Sequence, residues 1–449
     1  MPEITLLDYL LLPFYLWMIY KMAYYYRDRY YPQGHACRPY FIPGLTVKIA
    51  GAVFIGMFYN YYYGGGDTFN YLFHSQLINS TFLESPAAWL RLITHQADES
   101  NGIDAKALSA MYWYDDPATY TTSCLGAMIG IFCFTKYLVI NIFIAVISFT
   151  GMWLMFITFV GQYQKLIKYI AIAVLFMPGP VVWGSGLFKD SFCMFSIGCL
   201  IYSFYILFEI RKFKIWLILL SLVSIALLAL IKAYILVALF PFLLFKIILV
   251  YKKRAALNPR KRVAFYIGFS LFLLVGIFVL KKSVVYLTAF SADNVMETVV
   301  RQKDYLLQVS LDQDGSAYDL GDFEPSIGGM SRMIVPAVNV ALFRPYLWES
   351  RSIIQLFNAM ESLGVLLLTF YLLFKRNIFK TLKNIYQDPN LILCFFFTLV
   401  FAFFVGISSY NFGTLSRYKI PCTPFYMLFL MILIFKDKAE KGFKLQEKN

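Results

Sequence analysis

Eleven apolar runs follow one another along this chain of 449 residues, and they limit what it can fold into. Each is close to the roughly 20 residues that an α-helix needs to cross a bilayer. Only 15% of the residues are charged, against about 25% in soluble domains, so the polar surface of a soluble fold is missing. We therefore predict an all-α polytopic membrane protein with about 11 transmembrane helices (roughly 10–13), which excludes soluble enzymes, disordered chains and disulfide scaffolds. The predicted spans are residues 4–20, 41–63, 137–160, 168–183, 189–208, 214–231, 233–250, 263–280, 353–374, 391–408 and 418–435.

The distribution of basic residues predicts which loops lie in the cytoplasm, because cytoplasmic loops carry the excess of Lys and Arg. Six short segments hold 24 basic and 6 acidic residues, whereas the long loops 64–120 and 281–352 hold 9 basic and 16 acidic. This predicts one integral-membrane domain over residues 1–449, with the N-terminus outside and both long loops extracytoplasmic. The first run lacks the basic flank of a signal peptide, and it either spans the membrane or lies along it. The predicted cytoplasmic segments are residues 21–40, 161–168, 209–214, 251–262, 375–390 and the basic tail 436–449.

Two shorter apolar stretches, 121–135 and 333–343, are predicted to be re-entrant or interfacial helices within or beside the long loops. The cytoplasmic loops contain no nucleotide-binding pattern, so any chemistry is expected outside, where activated substrates arrive attached to lipid. The basic residues are dispersed, which argues against nucleic acid as a partner. Scattered histidines and cysteines predict neither a metal site nor a soluble cofactor. The pair Asp312 and Asp314 would allow a divalent metal but is too short a motif to support one.

The first candidate site follows the second span, where three tyrosines and three glycines precede Asp67. Glycines let a ligand approach the backbone closely, and a carboxylate at the membrane surface is suited to general-base catalysis. A helix that starts at Thr68 would place Tyr71 and His74 on the face nearest Asp67, as substrate-binding residues. The alternative is a glycine turn in which Asp67 caps the helix and the tyrosines form an aromatic belt.

The second candidate site is the turn Trp183-Gly-Ser-Gly-Leu-Phe-Lys189-Asp190, which follows two prolines. Charges at this depth are costly and mark functional sites. Lys189 is suited to hold a lipid-linked phosphate, with Asp190 orienting it. The alternative is a helix N-terminus in which Asp190 stabilises the dipole and Lys189 reaches lipid headgroups.

Two further loops contribute predicted substrate-binding residues on the same side. In loop 281–352 they are Arg332, Arg344 and Trp348, since guanidinium groups bind phosphate and aromatic faces stack on sugars. Before the last span they are Arg417 and Lys419. For both loops the alternative is an interfacial belt whose cations reach lipid phosphate.

Several charges lie inside apolar runs, where ionisable groups usually have partners within the protein. They are Glu361, Lys48, Lys136, Lys232 and Lys246. The sequence does not pair them.

The chain resembles GT-C-type glycosyltransferases that use polyprenyl-phosphate sugars, and O-antigen or exopolysaccharide repeat-unit polymerases. Asp67 in GGGDTFNY matches the acidic residue of the first large extracytoplasmic loop in GT-C enzymes. Arg417-Tyr-Lys-Ile-Pro-Cys-Thr-Pro424 is similar to a late Arg-Tyr/Phe-x-x-Pro-x-x-Pro stretch, and WGSGLFKD to a WSSGxxKD stretch of polymerase-like proteins. The chain differs from the GT-C pattern in lacking a paired Asp-Glu at Asp67 and a large soluble C-terminal domain, and in having two spans before the Asp loop.

This resemblance implies a bacterial inner-membrane enzyme of cell-envelope polysaccharide biosynthesis. It would act at the extracytoplasmic face on an isoprenoid-linked sugar donor, with Asp67 as general base and the cations holding the phosphate. We expect Asp67 and Lys189 to line one outward-opening pocket with at least one of Arg332, Arg344 or Arg417. Two alternatives remain: a transporter or flippase of lipid-linked oligosaccharide or a small solute, and a non-catalytic partner of an envelope complex. The sequence identifies no protein partner beyond the membrane lipids.

Overall fold

The computed structural model describes residues 4–255, 317–321 and 327–446, together with the single residues 301, 303, 305 and 308. Throughout these ranges the regular structure is helical, without a β-strand; one isolated bridge joins Ala317 and Asn411. The predicted span 263–280 lies outside the described residues, as do Asp312 and Asp314.

The chain forms two compact units. The first consists of residues 1–207, 212–236 and 439–449, and the second of residues 208–211 and 237–438. In the first unit the helices are α1 (Leu6–Tyr30), α2 (Arg38–Tyr61), α3 (Asp67–Glu84), α4 (Pro86–Ile93), α5 (Gly102–Ser109), α6 (Pro117–Gly130), α7 (Tyr137–Gln162), α8 (Ile167–Leu175), α9 (Pro178–Trp183) and α10 (Lys189–Phe204). A π-helical segment, Tyr205–Ile210, follows α10.

Helix α11 (Ile215–Ala255) begins in the first unit and ends in the second. The described helices of the second unit are then α12 (Ile327–Arg332), α13 (Ile334–Phe343), α14 (Ile353–Lys375), α15 (Ile378–Gln387), α16 (Pro389–Ser409), α17 (Phe412–Tyr418) and α18 (Thr423–Gln446).

Seven described helices are long and apolar enough to cross a membrane: α1, α2, α7, α10 with its π-helical extension, α11, α14 and α16. The pair α17 and α18, bent by 67°, makes an eighth if it forms one span. The chain is therefore a multi-pass membrane protein, as its composition predicts. The count of eleven spans and the sidedness of the termini stay predictions.

The structure differs from the predicted spans at residues 168–183. Residues 168–183 do not form one long helix, because the chain is extended at Met177 (ψ 126°) before Pro178, which separates the nine-residue α8 from the six-residue α9. The predicted boundary between 214–231 and 233–250 coincides with a kink in α11 at Lys232, whose backbone is non-helical (φ −148°, ψ 71°), although no loop separates the two parts. The two short apolar stretches are helical, as α6 and α13.

The loop 64–120 is ordered, since α3 to α6 share an apolar core that includes Ile78, Leu92 and Tyr120. Arg91 and Asp104 connect α4 to α5 through two hydrogen bonds of 2.7 and 2.8 Å. This ion pair lowers the pKa of the buried Asp104 carboxyl. These contacts pack α3, which begins at Asp67, against α4 to α6.

Candidate functional site

The segment between α9 and α10 is a buried, non-helical turn, because residues 184–188 are all buried. Irregular backbone within a membrane domain is tolerated only where its polar groups are satisfied. Here Asn141 of α7 accepts a 2.9 Å hydrogen bond from the Leu187 N–H, and Ser191 donates to the Gly186 carbonyl at 2.6 Å. The turn that precedes Lys189 is therefore held from several helices.

Lys48 of α2 holds the other end of this turn. Its buried ammonium donates to the carbonyls of Pro180 and Gly184, both at 2.8 Å, and to the Ser148 hydroxyl at 3.1 Å. An ammonium has three donors, and these contacts use all three. Lys48 thus satisfies the carbonyls that α9 leaves open at its C-terminus.

Lys189 begins α10 and is half-buried. Its ammonium donates a 2.7 Å hydrogen bond to the Thr119 hydroxyl, which in turn donates to the carboxylate of Asp116. Asp116 is the N-cap of α6 and accepts from the Ala118 N–H at 3.1 Å. The predicted phosphate-binding lysine therefore joins the loop 64–120 to the buried turn.

Asp190 is completely buried and forms an ion pair with Lys232, with 2.5 Å between Nζ and Oδ1. Lys232 is the residue at which α11 departs from helical geometry. A buried carboxylate requires such a partner, because an isolated charge in a low-dielectric interior is strongly unfavourable. Asp190 thus orients Lys232 directly and acts on Lys189 only through its charge.

Asp67 is exposed and is the first residue of α3, with Gly66 as N-cap; the helix therefore starts one residue earlier than expected. The three preceding glycines all have positive φ (64°, 151° and 125°), a region that L-residues rarely adopt. Asp116, Lys232, Asp67 and Asp190 all interact electrostatically with Lys189. Asp67 and Lys189, chosen from separate motifs, are thus electrostatically coupled in the first unit.

His74 and Tyr71 are buried inside the loop helices. His74 Nδ1 lies 2.8 Å from the Asn70 carbonyl, and Nε2 accepts a 3.3 Å hydrogen bond from the Trp113 N–H. Burial lowers the pKa of His74 and favours the neutral ring that this pattern of bonds needs, despite the opposing effect of the Asn70 carbonyl. The Tyr71 ring packs against Trp113. Both residues, predicted to bind substrate, hold the loop together in this structure.

In the second unit, Arg344 is paired within the protein. Its guanidinium binds the carboxylate of Glu349, with 3.0 Å from Nε to each oxygen. It also lies 5.2 Å from the ring centre of Phe412. Trp348 is 81% exposed and stacks on Tyr346, so its outer face is accessible to a sugar or lipid. Arg332 is exposed at the end of α12.

Lys419 lies at the bend between α17 and α18 and is buried. Its ammonium donates to the Ser362 hydroxyl at 2.9 Å and to the Arg344 carbonyl at 3.3 Å. Lys419, Ser362 and Glu361 line one small cavity with Tyr426, and Glu361 interacts electrostatically with Lys419. Arg417, two residues earlier, is half-buried.

The structure gives partners to the four lysines that lie inside apolar runs and that the sequence could not pair. Lys232 pairs with Asp190 and Lys246 with Glu209, the second at 2.6 Å. Lys48 bonds to carbonyls, and Lys136 donates to the Thr5 hydroxyl at 3.3 Å.

Two residues next to Lys189, Asp116 and Thr119, were missed by sequence analysis. A signal for Asp116 was present, because an acidic residue followed by proline before an apolar run is typical of a helix N-terminus. Asp67, Lys189 and Asp190 belong to the first unit, whereas Arg332, Arg344 and Arg417 belong to the second. Their convergence on one pocket stays a prediction.

No protein-family model, curated protein or solved structure matches this chain. The class that the fold itself defines is a helical, multi-pass membrane protein. Its first unit combines an exposed carboxylate, a half-buried lysine and a buried ion pair.

Proposed function

We propose that the chain is a membrane glycosyltransferase or glycan polymerase of the bacterial cytoplasmic membrane. It transfers sugar from an isoprenoid-(pyro)phosphate donor at the extracytoplasmic face, in cell-surface polysaccharide assembly. The observation that carries this proposal is the electrostatic coupling of the exposed Asp67 to the half-buried Lys189. Glycosyl transfer to an alcohol needs these two groups, a base for the acceptor and a cation for the phosphate that leaves.

In this mechanism Asp67 accepts the proton of the acceptor hydroxyl as that oxygen attacks the anomeric carbon. The bond from the anomeric carbon to the phosphate oxygen breaks, and its electron pair stays on the departing lipid phosphate. Lys189 stabilises the negative charge that develops there. The bond from Lys189 to Thr119 fixes the ammonium in advance, which limits reorganisation during the reaction.

Asp190 and Lys232 are positioning residues in this proposal. Their ion pair neutralises the first turn of α10 next to the half-buried Lys189, which is more accessible than either partner of the pair. Arg332, Arg344 and Arg417 are proposed to bind the rest of the phosphate group from the second unit, and Trp348 to stack on a sugar. No soluble cofactor takes part.

A second candidate is a transporter or flippase of the same lipid-linked substrate. The broken pair α8 and α9 and the interruption of α11 at Lys232 favour it, because transporters bind substrates at discontinuous helices.

One experiment separates these candidates. The full chain is purified in detergent, where there are no two sides to transport between, and sugar transfer from a polyprenyl-pyrophosphate donor to an acceptor glycan is measured. Loss of the general base in Asp67→Asn should lower the rate by about 100-fold or more at unchanged protein level. Glu99→Gln, an exposed acid of the same loop, is the matched control. Activity of Asp67→Asn equal to the control would remove Asp67 from the mechanism. No transfer by the wild type, with substrate translocation in vesicles, would identify a transporter.

A further inference from the structure

Helix α15 is amphipathic, and its apolar face is open. Ile378, Leu382 and Tyr386 follow one another at intervals of four residues and so share one face. Phe379 borders the same face. These four side chains are 48% (Ile378), 79% (Phe379), 56% (Leu382) and 83% (Tyr386) exposed, and no residue of α15 is buried. A separate face carries Lys380, Lys383 and Asn384.

The position of α15 limits what can cover this face. It connects α14 to α16, both long and apolar enough to span a membrane. Ten residues of helix extend about 15 Å, half of the roughly 30 Å hydrocarbon core. If both neighbours span, their adjoining ends therefore lie at the same membrane surface, and α15 lies along that surface.

Ion pairs hold α15 from its polar side. Asp437 of α18 binds Arg376 at 2.7 Å and Lys380 at 2.8 Å, at the start of α15. At the other end Lys436 lies 3.4 Å from Asp388, the N-cap of α16. Of these residues only Lys380 lies within α15, and its ion pair turns the polar face toward α18, which leaves the apolar face exposed.

We propose that α15 is an interfacial helix that inserts its apolar face among the acyl chains, and that Lys383 of α15 and Lys375, the last residue of α14, bind acidic phospholipid headgroups. Both lysines are exposed, and within the described residues neither forms an ion pair. An exposed aromatic and aliphatic face next to lysines is the pattern of helices that lie in the headgroup region. The predicted topology places residues 375–390 at the cytoplasmic leaflet, whose acidic lipids attract basic segments.

The depth of α15 is tested on the full chain in nanodiscs of phosphatidylcholine and phosphatidylglycerol. A nitroxide is attached to Leu382→Cys on the apolar face or to Asn384→Cys on the polar face; the seven native cysteines are buried. The label at 382 should collide with oxygen and be protected from a water-soluble nickel chelate, and the label at 384 should show the reverse. A label at 382 accessible to the chelate, or shielded from both reagents by protein, would overturn the insertion.

Headgroup binding is tested separately by native mass spectrometry of the full chain with phosphatidylglycerol. Each lysine near an anionic surface contributes about 1 kcal/mol, so the double variant Lys375→Gln/Lys383→Gln should bind about thirtyfold more weakly. Phosphatidylcholine binding should be unchanged in that variant, and Lys106→Gln, an exposed lysine of α5, should behave as wild type. Equal phosphatidylglycerol affinity in the double variant and wild type would overturn the choice of lysines. Neither test depends on the glycosyltransferase proposal.

Discussion

The ion pair between Asp190 and Lys232 allows a quantitative test of how the first unit is held together. The two atoms are 2.5 Å apart, and the side chains are 0% and 7% exposed. At an effective dielectric constant near 20, their attraction is about 6–7 kcal/mol, which opposes a desolvation cost of several kcal/mol for each ion. The pair itself therefore contributes little net stability, but either charge alone is strongly unfavourable.

This balance predicts a characteristic pattern in a double-mutant cycle. Lys232→Met removes the ion-pair partner of the Asp190 carboxylate, and Asp190→Leu removes that of the Lys232 ammonium, so each single variant should lose about 3–5 kcal/mol. The double variant replaces the pair by apolar side chains and should be within about 1 kcal/mol of wild type, or more stable.

The assay is reversible unfolding of the purified full chain by dodecyl sulfate in mixed micelles, followed by circular dichroism. The free energies of the four proteins give the coupling energy directly. A coupling below about 0.5 kcal/mol, with the losses of the single variants simply adding, would refute the ion pair as described. Sugar transfer by a stable double variant would further show whether the pair only positions Lys189 or is needed for the reaction.

Three shorter predictions follow from single contacts. Lys48→Met removes the described donor of the Pro180 carbonyl and one of the two donors of the Gly184 carbonyl, and should destabilise the chain by about 1–3 kcal/mol in the same assay, whereas the exposed Lys21→Met should not. Gly66→Ala should lower the apparent melting temperature more than Gly64→Ala. A Cβ at Gly66 would lie 2.8 Å from a Tyr59 ring atom, whereas a Cβ at Gly64 would meet no atom within 4 Å. Equal melting temperatures of the two variants would contradict this prediction. The Arg91 guanidinium lowers the pKa of Asp104 in the folded protein below the value near 4 of an unfolded chain. The ion pair therefore stabilises the folded loop fully above that unfolded value, and this stabilisation is lost as the pH falls through the lower folded pKa. Protease resistance of loop 64–120 should therefore fall below about pH 4 in wild type, and Asp104→Asn should already be sensitive at pH 7.

The helical membrane class could be predicted because it depends only on local composition and length. The ends of α2, α7 and α16 agree with the apolar runs within a few residues. Prediction failed for residues 168–183, where mean hydropathy does not reveal that the chain is extended at Met177 and breaks into two short helices. Mean hydropathy indicates whether a segment is buried in lipid or exposed to water, but it does not determine the backbone conformation of that segment.

The candidate site was likewise predictable only in part. Asp67 and Lys189 were found because charges beside glycine turns at the end of apolar runs are locally unusual. The pairing of Asp190 with Lys232, 42 residues away, depends on how α10 packs against α11, which no local pattern encodes. His74 was assigned to substrate because helical spacing places it on the same face as Asp67, but its partners are the Asn70 carbonyl and a backbone N–H 39 residues later.

Three lysines of the first unit, Lys48, Lys189 and Lys232, have different partners, and the difference explains why our proposal assigns the phosphate to Lys189. Lys48 directs all three donors at the protein, two of them at carbonyls, and has no capacity for a ligand. Lys232 is compensated by the carboxylate of Asp190. Lys189 alone of the three is half-buried rather than buried, and its described hydrogen bond goes to a neutral hydroxyl. Asp116, Asp67 and Asp190 also act on its charge, but no carboxylate forms a described ion pair with Lys189, and for that reason our proposal assigns the phosphate to Lys189 rather than to either neighbour.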